Sequence, residues 1–253
     1  MSILEAILFG FLEGMTEFLP ISSTGHLILL SKYLGIEQDD FHKSFEVIIQ
    51  FGAILAVVVY FARDIFRIST LTTLFFAFLP TGIIGFFAYS TIKSLFDFSV
   101  VAYMLIVGGI VLILLDVFLK SEGEQTDKIE DVSIKQAIYI GFFQALSMIP
   151  GTSRSGATIV GGIVNKLDKV TAAKFSFLLA VPTMFVASSY DIYKNYEAFL
   201  VLEGLQEIGI AFVVSFLTAM VAIRFFLTLI KRVGFYPFGI YRIVLGSVFL
   251  YFY

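Results

Sequence analysis

The stretch Pro150-Gly-Thr-Ser-Arg-Ser-Gly-Ala-Thr158 sets a guanidinium among hydroxyls and glycines in the middle of hydrophobic sequence. A charged side chain at membrane depth is costly and commonly marks a site. Arg154 offers a planar fork of donors. Ser153, Ser155 and Thr158 add further donors, and Gly151 and Gly156 let backbone N–H groups approach. Those are the groups a phosphate needs. The alternative role for Arg154 is an ion pair with Glu13 or Glu17, which is compatible with phosphate binding once substrate arrives.

A second polar island runs from Glu13 to His26. Glu13 and Glu17 are four apart, so on a helix they share a face. Two carboxylates on an apolar helix repel each other unless a cation sits between them. Magnesium or calcium fits such oxygen ligands and would also bridge to phosphate. The alternative is a surface helix with both acids in water, against which Pro20-Ile-Ser-Ser-Thr-Gly-His26 argues. Ser22, Ser23 and Thr24 precede a short apolar helix, His26–Leu34. They either cap it or, with its free N–H groups, meet an anion. His26, three residues after Ser23, has the chemistry of a proton carrier or of a nucleophile. His42 lies among loop charges and is given no role. The two islands together predict a membrane protein that handles a phosphorylated substrate.

Composition agrees with the membrane setting. Of 253 residues, 58% are hydrophobic and only 15% charged, against about 25% charged in soluble domains. The absence of cysteine excludes disulfides, thiol nucleophiles and thiolate metal sites. No lysine- and arginine-rich tail is present, so nucleic acid is not an expected partner. The prediction is one all-α polytopic membrane domain over residues 1–253.

Six stretches are long enough to span: Phe45–Ala62, Leu71–Thr91, Val100–Leu119, Phe175–Tyr193, Ile208–Ile230 and Phe238–Tyr253. Two further apolar regions, Ile3–Leu34 and Ile134–Val164, are broken in the middle by proline, glycine and hydroxyls. They read as re-entrant helix hairpins, because irregular backbone at membrane depth must be buried or line a cavity. Shifted by 131 residues, Gly10 falls on Gly141, Glu13 on Gln144, Ser22 on Ser153, Thr24 on Ser155 and Gly25 on Gly156. Each half, 1–119 and 134–253, is thus a hairpin followed by three spans, with a charged linker at 120–133. Three is odd, so the second half is inverted, and the site is expected where the two breaks meet. Gln144, opposite Glu13, is read as a polar contact at that interface. Glu46 and Gln50 are read as facing the same cavity, and Asp116 and Arg224 as reaching water near span ends.

In this topology one face carries Arg63, Arg67, Lys120, Lys128, Lys135, Lys166, Lys169, Lys174, Lys231 and Arg232. The other carries Lys32, Lys43, Lys93 and Lys194. The first is therefore cytoplasmic, and the mouth of the first hairpin and both termini face outward.

Glu13-Gly-Met-Thr-Glu17-Phe-Leu-Pro-Ile-Ser-Ser-Thr-Gly-His26 resembles the acidic motif and following Ser/His segment of bacterial undecaprenyl pyrophosphate phosphatases, the bacitracin-resistance membrane phosphatases. Pro150–Thr158 is similar to that family's second motif, P-G-x-S-R-S-x-x-T, at every fixed position. The resemblance implies hydrolysis of undecaprenyl pyrophosphate to the monophosphate lipid carrier of cell-wall synthesis. It also implies a divalent cation, Mg2+ or Ca2+, and a site opening outward in the bacterial inner membrane. It points to Glu13, Glu17, Ser23, His26, Ser153, Arg154 and Thr158 as site residues. Ser23 is the expected nucleophile with His26 as its base, the alternative being a water activated by His26 or a glutamate. Ser22, Thr24, Gly151, Ser155 and Thr158 are expected to help hold the phosphate, and Glu13 and Glu17 the metal. Partners are the lipid substrate and membrane lipid, with a homodimer among the options. Inverted halves with broken helices also suit a transporter or flippase for a phosphorylated lipid.

Overall fold

The computed structural model describes residues 1–36, 39–95, 97–118, 125–194 and 204–252. Most of the predicted linker's start, residues 120–124, lies outside these, as do Leu119 and Tyr253 at the ends of two predicted spans. Among the described residues the chain is helical, with one isolated bridge between Thr126 and Leu167.

Two short helices open the chain. Helix α1, Ile3–Thr16, starts at Ser2, whose hydroxyl and Glu5 form a reciprocal cap. It ends at the turn Glu17–Ser22, and α2, Ser23–Tyr33, follows. The long helix α3 (Asp40–Tyr60), the single turn α4 (Ala62–Ile65), α5 (Ile68–Ser94) and α6 (Phe98–Phe118) come next. A second short pair repeats the first. Helix α7, Ile134–Leu146, opens with the same reciprocal cap from Ser133 and Gln136, and α8, Arg154–Val164, follows a turn over Ser147–Ser153. The chain closes with α9 (Lys169–Lys194), α10 (Leu205–Val233) and α11 (Tyr236–Phe252).

Five helices are long and apolar enough to cross a membrane: Phe41–Tyr60, Ile68–Ala88, Phe98–Phe118, Lys169–Lys194 and Leu205–Val233. The expected sixth span is helix α11, only 17 residues long. At 1.5 Å per residue that is about 26 Å, short of a hydrocarbon core of about 30 Å. The outer surface exposes large apolar side chains, among them Phe86, Phe87, Val107, Phe118, Leu217 and Val221. The chain is a multi-pass membrane protein.

The short helices are seated by close backbone contacts. Helix α1 packs on α10, where a side chain at Gly10 would run into the Ala211 carbonyl. Helix α7 packs on α5, where one at Gly141 would run into the Ala77 carbonyl. Helix α11 packs along α6, and α3 lies between α10 and α9. Inside, Phe18 from the first turn stacks edge-on against Phe177, which continues to Phe226 and Phe238. This aromatic column anchors the first turn in the core. Asp116, read from sequence as reaching water, is half-buried at the wall of an open cleft. It accepts from Lys169 at 2.5 Å, from Tyr236 N–H at 2.7 Å and from Phe235 N–H, and so holds the start of α11.

Candidate active site

Both turns are built alike. Ser22 and Ser153 have φ of 69° and 73°, a left-handed conformation that disfavours serine. Each hydroxyl then caps the helix that follows, accepting from Gly25 N–H at 3.4 Å and Gly156 N–H at 3.2 Å. The capping bond offsets part of the strain. Each serine thus closes its turn and starts the next helix.

The turns meet in the interior. Arg154 Nη2 donates to Glu17 Oε1 at 2.9 Å, and the Ser155 hydroxyl donates to the Leu19 carbonyl at 2.8 Å. Glu17 Oε2 accepts the Ser23 hydroxyl at 2.5 Å. One carboxylate therefore holds the guanidinium on one oxygen and a serine proton on the other. Arg154 Nη1 is fixed by the Ser176 carbonyl at 2.8 Å, its guanidinium carbon lies 5.8 Å from the Phe18 ring centre, and its Nε–H is buried without a partner.

A pocket of about 250 Å³ opens here, and Glu17, Ser22, Ser23, Thr24, Gly151, Ser153 and Arg154 line it. Sequence reasoning had named all seven. Gln50, Ser147, Met148, Pro150, Thr183, Met184 and Ala187 complete the wall. Of these only Gln50 had been expected to face the cavity. A larger, more open cleft of about 670 Å³ near Asp116 and Lys231 lacks such a set, and its Lys169 is already paired with Asp116.

Four expected site residues sit behind this wall. Thr158 gives its hydroxyl to the Arg154 carbonyl and to Ser176 Oγ at 2.6 Å, so it braces the arginine instead of meeting phosphate. Ser155 spends its hydroxyl on Leu19 and on Ser153 Oγ. His26 was expected as the base for Ser23. Its Nδ1 instead bonds the Ser22 carbonyl at 2.7 Å and its Nε2 the Tyr241 hydroxyl at 2.6 Å. The ring stacks on Tyr241 of α11 and is held there. Glu13 is buried, with Glu17 and Glu46 as acidic neighbours, and both its oxygens lack hydrogen-bond partners.

Those two bare oxygens are the test of a metal. Buried carboxylate oxygens without donors suit a hard cation. Glu17, beside them, keeps lone pairs beyond its bonds to Ser23 and Arg154. Among the described residues no three acidic or histidine side chains lie close enough together to hold an ion by themselves. The rest of a coordination shell would come from water and phosphate oxygens, the usual habit of magnesium.

Sequence reasoning missed two residues. Arg242 is buried, and its guanidinium reaches the carbonyls of both turns. Tyr241 holds His26. A lone arginine within the last apolar stretch was the available signal for the first; nothing in the sequence singles out the second. His42, given no role, is buried against Glu46 at 3.3 Å and Ser31 at 3.0 Å. Gln144 is the predicted interior polar contact, joining Thr81 at 3.0 Å and Thr183 at 3.2 Å.

Comparison with known proteins matches residues 6–248 to a family model described as bacitracin resistance protein BacA. A protein of Wolinella succinogenes is 53% identical over 100% of this chain and 98% of its own length. One of Persephonella marina is 54% identical over 100% and 99%, and one of Campylobacter jejuni 49% identical over 99% and 94%. All three are named undecaprenyl-diphosphatase. With a family match over nearly its whole length and relatives this similar from end to end, the chain belongs to the bacitracin resistance protein BacA family.

Proposed function

We propose that this protein is an integral membrane phosphatase that hydrolyses undecaprenyl diphosphate to undecaprenyl phosphate and inorganic phosphate. It thereby returns the lipid carrier to cell-wall synthesis, and its turnover of the diphosphate underlies bacitracin resistance. The observation that carries this reading is the Ser23–Glu17–Arg154 chain, 2.5 Å and 2.9 Å long, at a pocket between two turns. The names of the relatives supply the substrate.

Ser23 Oγ attacks the terminal phosphorus while its proton passes to Glu17 Oε2. The anhydride P–O bond breaks, undecaprenyl phosphate leaves with the proton relayed from Glu17, and a phosphoserine remains beside a carboxylate again. A water that gives its proton to Glu17 then attacks that phosphorus, the serine P–O bond breaks, and Glu17 returns the proton to Ser23 Oγ as inorganic phosphate leaves. Arg154, in the pocket wall, holds the phosphoryl oxygens as charge builds, usually the largest share of such catalysis. Ser22, Ser153 and the backbone at Gly151 position the phosphate, and Thr24 lies at the exposed rim. Glu13 and Glu17 would hold Mg2+ or Ca2+, which when bound neutralises the diphosphate and polarises its phosphorus. His26 serves by fixing the start of α2.

The two halves are proposed to be inverted repeats, each a re-entrant hairpin with three long helices, in the bacterial plasma membrane. Recurrent packing supports this: α1 meets α10 as α7 meets α5, with Gly10 and Gly141 at matching contacts. The pocket is proposed to open outward, and a homodimer is compatible with the lipid-facing surface. In a chain without cysteine, single cysteines report topology. Lys32→Cys should react with an impermeant maleimide in intact cells and Lys128→Cys should not; the reverse pattern excludes this orientation.

The test of function is phosphate release from undecaprenyl diphosphate by detergent-purified protein, with Mg2+ or Ca2+ and then with EDTA. Release should need the cation and be lost in Glu17→Ala and Arg154→Ala. Binding without release by folded protein would instead indicate a carrier.

A further inference from the structure

Arg242 is the largest fully buried side chain among the described residues, 1% exposed. Its Nε donates to the Leu105 carbonyl at 3.2 Å. Nη1 donates to Pro20 at 3.1 Å and Thr152 at 2.9 Å, and Nη2 to Met104 and Gly151, both at 2.9 Å. All five acceptors are backbone carbonyls. Pro20 belongs to the first turn, Gly151 and Thr152 to the second, and Met104 and Leu105 to α6. One planar group therefore ties together the two turns that carry the pocket.

We propose that Arg242 is a positioning residue for the phosphate site, holding the two turns at the separation at which Ser23, Glu17 and Arg154 meet.

A role in general stability alone explains less. Among the described residues no carboxylate pairs with Arg242, and burying an uncompensated cation is costly when a neutral group would serve as filler. The charge is instead set behind a pocket built for an anion. The geometry also requires a flat five-donor group, which lysine with three donors cannot supply. Helix α6 makes room for it: a side chain at Gly108 would collide with the guanidinium. With the carbonyls of Pro20, Gly151 and Thr152 drawn toward α11, the turns are fixed with their hydroxyls, Ser22 and Ser153, on the pocket side. Tyr241, the residue before, grips α2 through His26. A slip of about 1 Å between reacting groups is worth about 100-fold in rate.

The inference rests on the phosphatase reading, so its test has a readout independent of activity. The full-length protein is made with Arg242→Lys and, separately, with Gly108→Ala, which keeps the arginine but displaces it. Folding is checked by monodispersity and thermal unfolding. Phosphate release should show kcat lowered about 100-fold in both variants, with KM changed only a few-fold. A second set of proteins carries spin labels at Thr24→Cys and Ser147→Cys, which flank the two turns. The narrow distance distribution of the parent should broaden or shift in both variants. Unchanged kcat in either folded variant, or an unchanged distribution in both, overturns the proposal. A parent that releases no phosphate, together with variants whose label distances still shift, would defeat the phosphatase reading and leave the positioning role standing.

Discussion

Glu17 and Ser23 can be tested as a unit. Glu17→Gln keeps the volume but removes the charge and the capacity to take a proton. Ser23→Ala removes the attacking oxygen. At 2.5 Å the Ser23 hydroxyl donates straight to the carboxylate that is to take its proton, so losing either member should disable the same step. Removing a general base typically lowers rate by about 10²–10⁴-fold. Glu17→Gln also strips Arg154 of its 2.9 Å partner. The Arg154 side chain is 13% exposed at a wet pocket, so this adds less than the 3–5 kcal/mol of a fully buried broken pair. Each single variant is therefore expected to lose about 10³–10⁴-fold in kcat, roughly 4–5.5 kcal/mol at 1.36 kcal/mol per decade. Because both act in one step, the double variant should fall no more than about tenfold below the worse single. The assay is phosphate release under saturating undecaprenyl diphosphate, with folding checked by thermal unfolding. Independent effects would multiply to about 10⁶-fold or more. A multiplicative double, or Ser23→Ala within about tenfold of the parent, would refute attack by a Glu17-activated serine and leave a water as nucleophile.

Glu13→Gln should weaken Mg2+ or Ca2+ binding by at least about tenfold, read directly by calorimetric titration of the cation, because its bare oxygens lose their charge. Tyr241→Phe leaves His26 Nε2 without its partner and should cost about 1–3 kcal/mol in thermal unfolding but less than tenfold in kcat. A thousandfold loss of activity would return His26 to the chemistry. Gly14→Val drives a side chain into the Ser215 carbonyl and Thr218 of α10 and should destabilise by about 1–3 kcal/mol or prevent folding, seen as a lower unfolding temperature or lost expression. Asp116→Ala removes the acceptor at the start of α11 and should cost about 1–2 kcal/mol of stability, with the pocket's affinity for substrate unchanged.

The sequence exposed the parts of the site that are local. Seven of the pocket-lining residues come from two turns whose proline, glycine and hydroxyls contradict the surrounding apolar pattern. Proline alone was not the signal. Pro80 and Pro182 lie inside continuous helices α5 and α9, whereas Pro20 and Pro150 are followed by residues that take positive φ, Ser22 and Gly151. What sequence could not show was side-chain direction. Ser23, Ser155, Thr158 and His26 are all first-turn or near-first-turn residues of α2 and α8. A rotation of about 100° per residue decides which face the pocket and which face α9 or α11. The same limit hid Arg242, whose partners are carbonyls of both turns and of α6, all 90 or more residues away in the chain. Five spans were legible from hydropathy; the sixth stretch, Phe238–Tyr253, coincides with a helix over Tyr236–Phe252 that is shorter than the other five.

The five carbonyls around Arg242 also set an order of events during synthesis. The first turn, the second turn and α6 all precede α11 in the chain. Their carbonyls therefore lack the guanidinium until α11 has been made and seated along α6. Until then every phosphate ligand of the two turns is present in the chain without the group that holds the turns together, so the pocket is completed by the arrival of α11 and not by the hairpins alone.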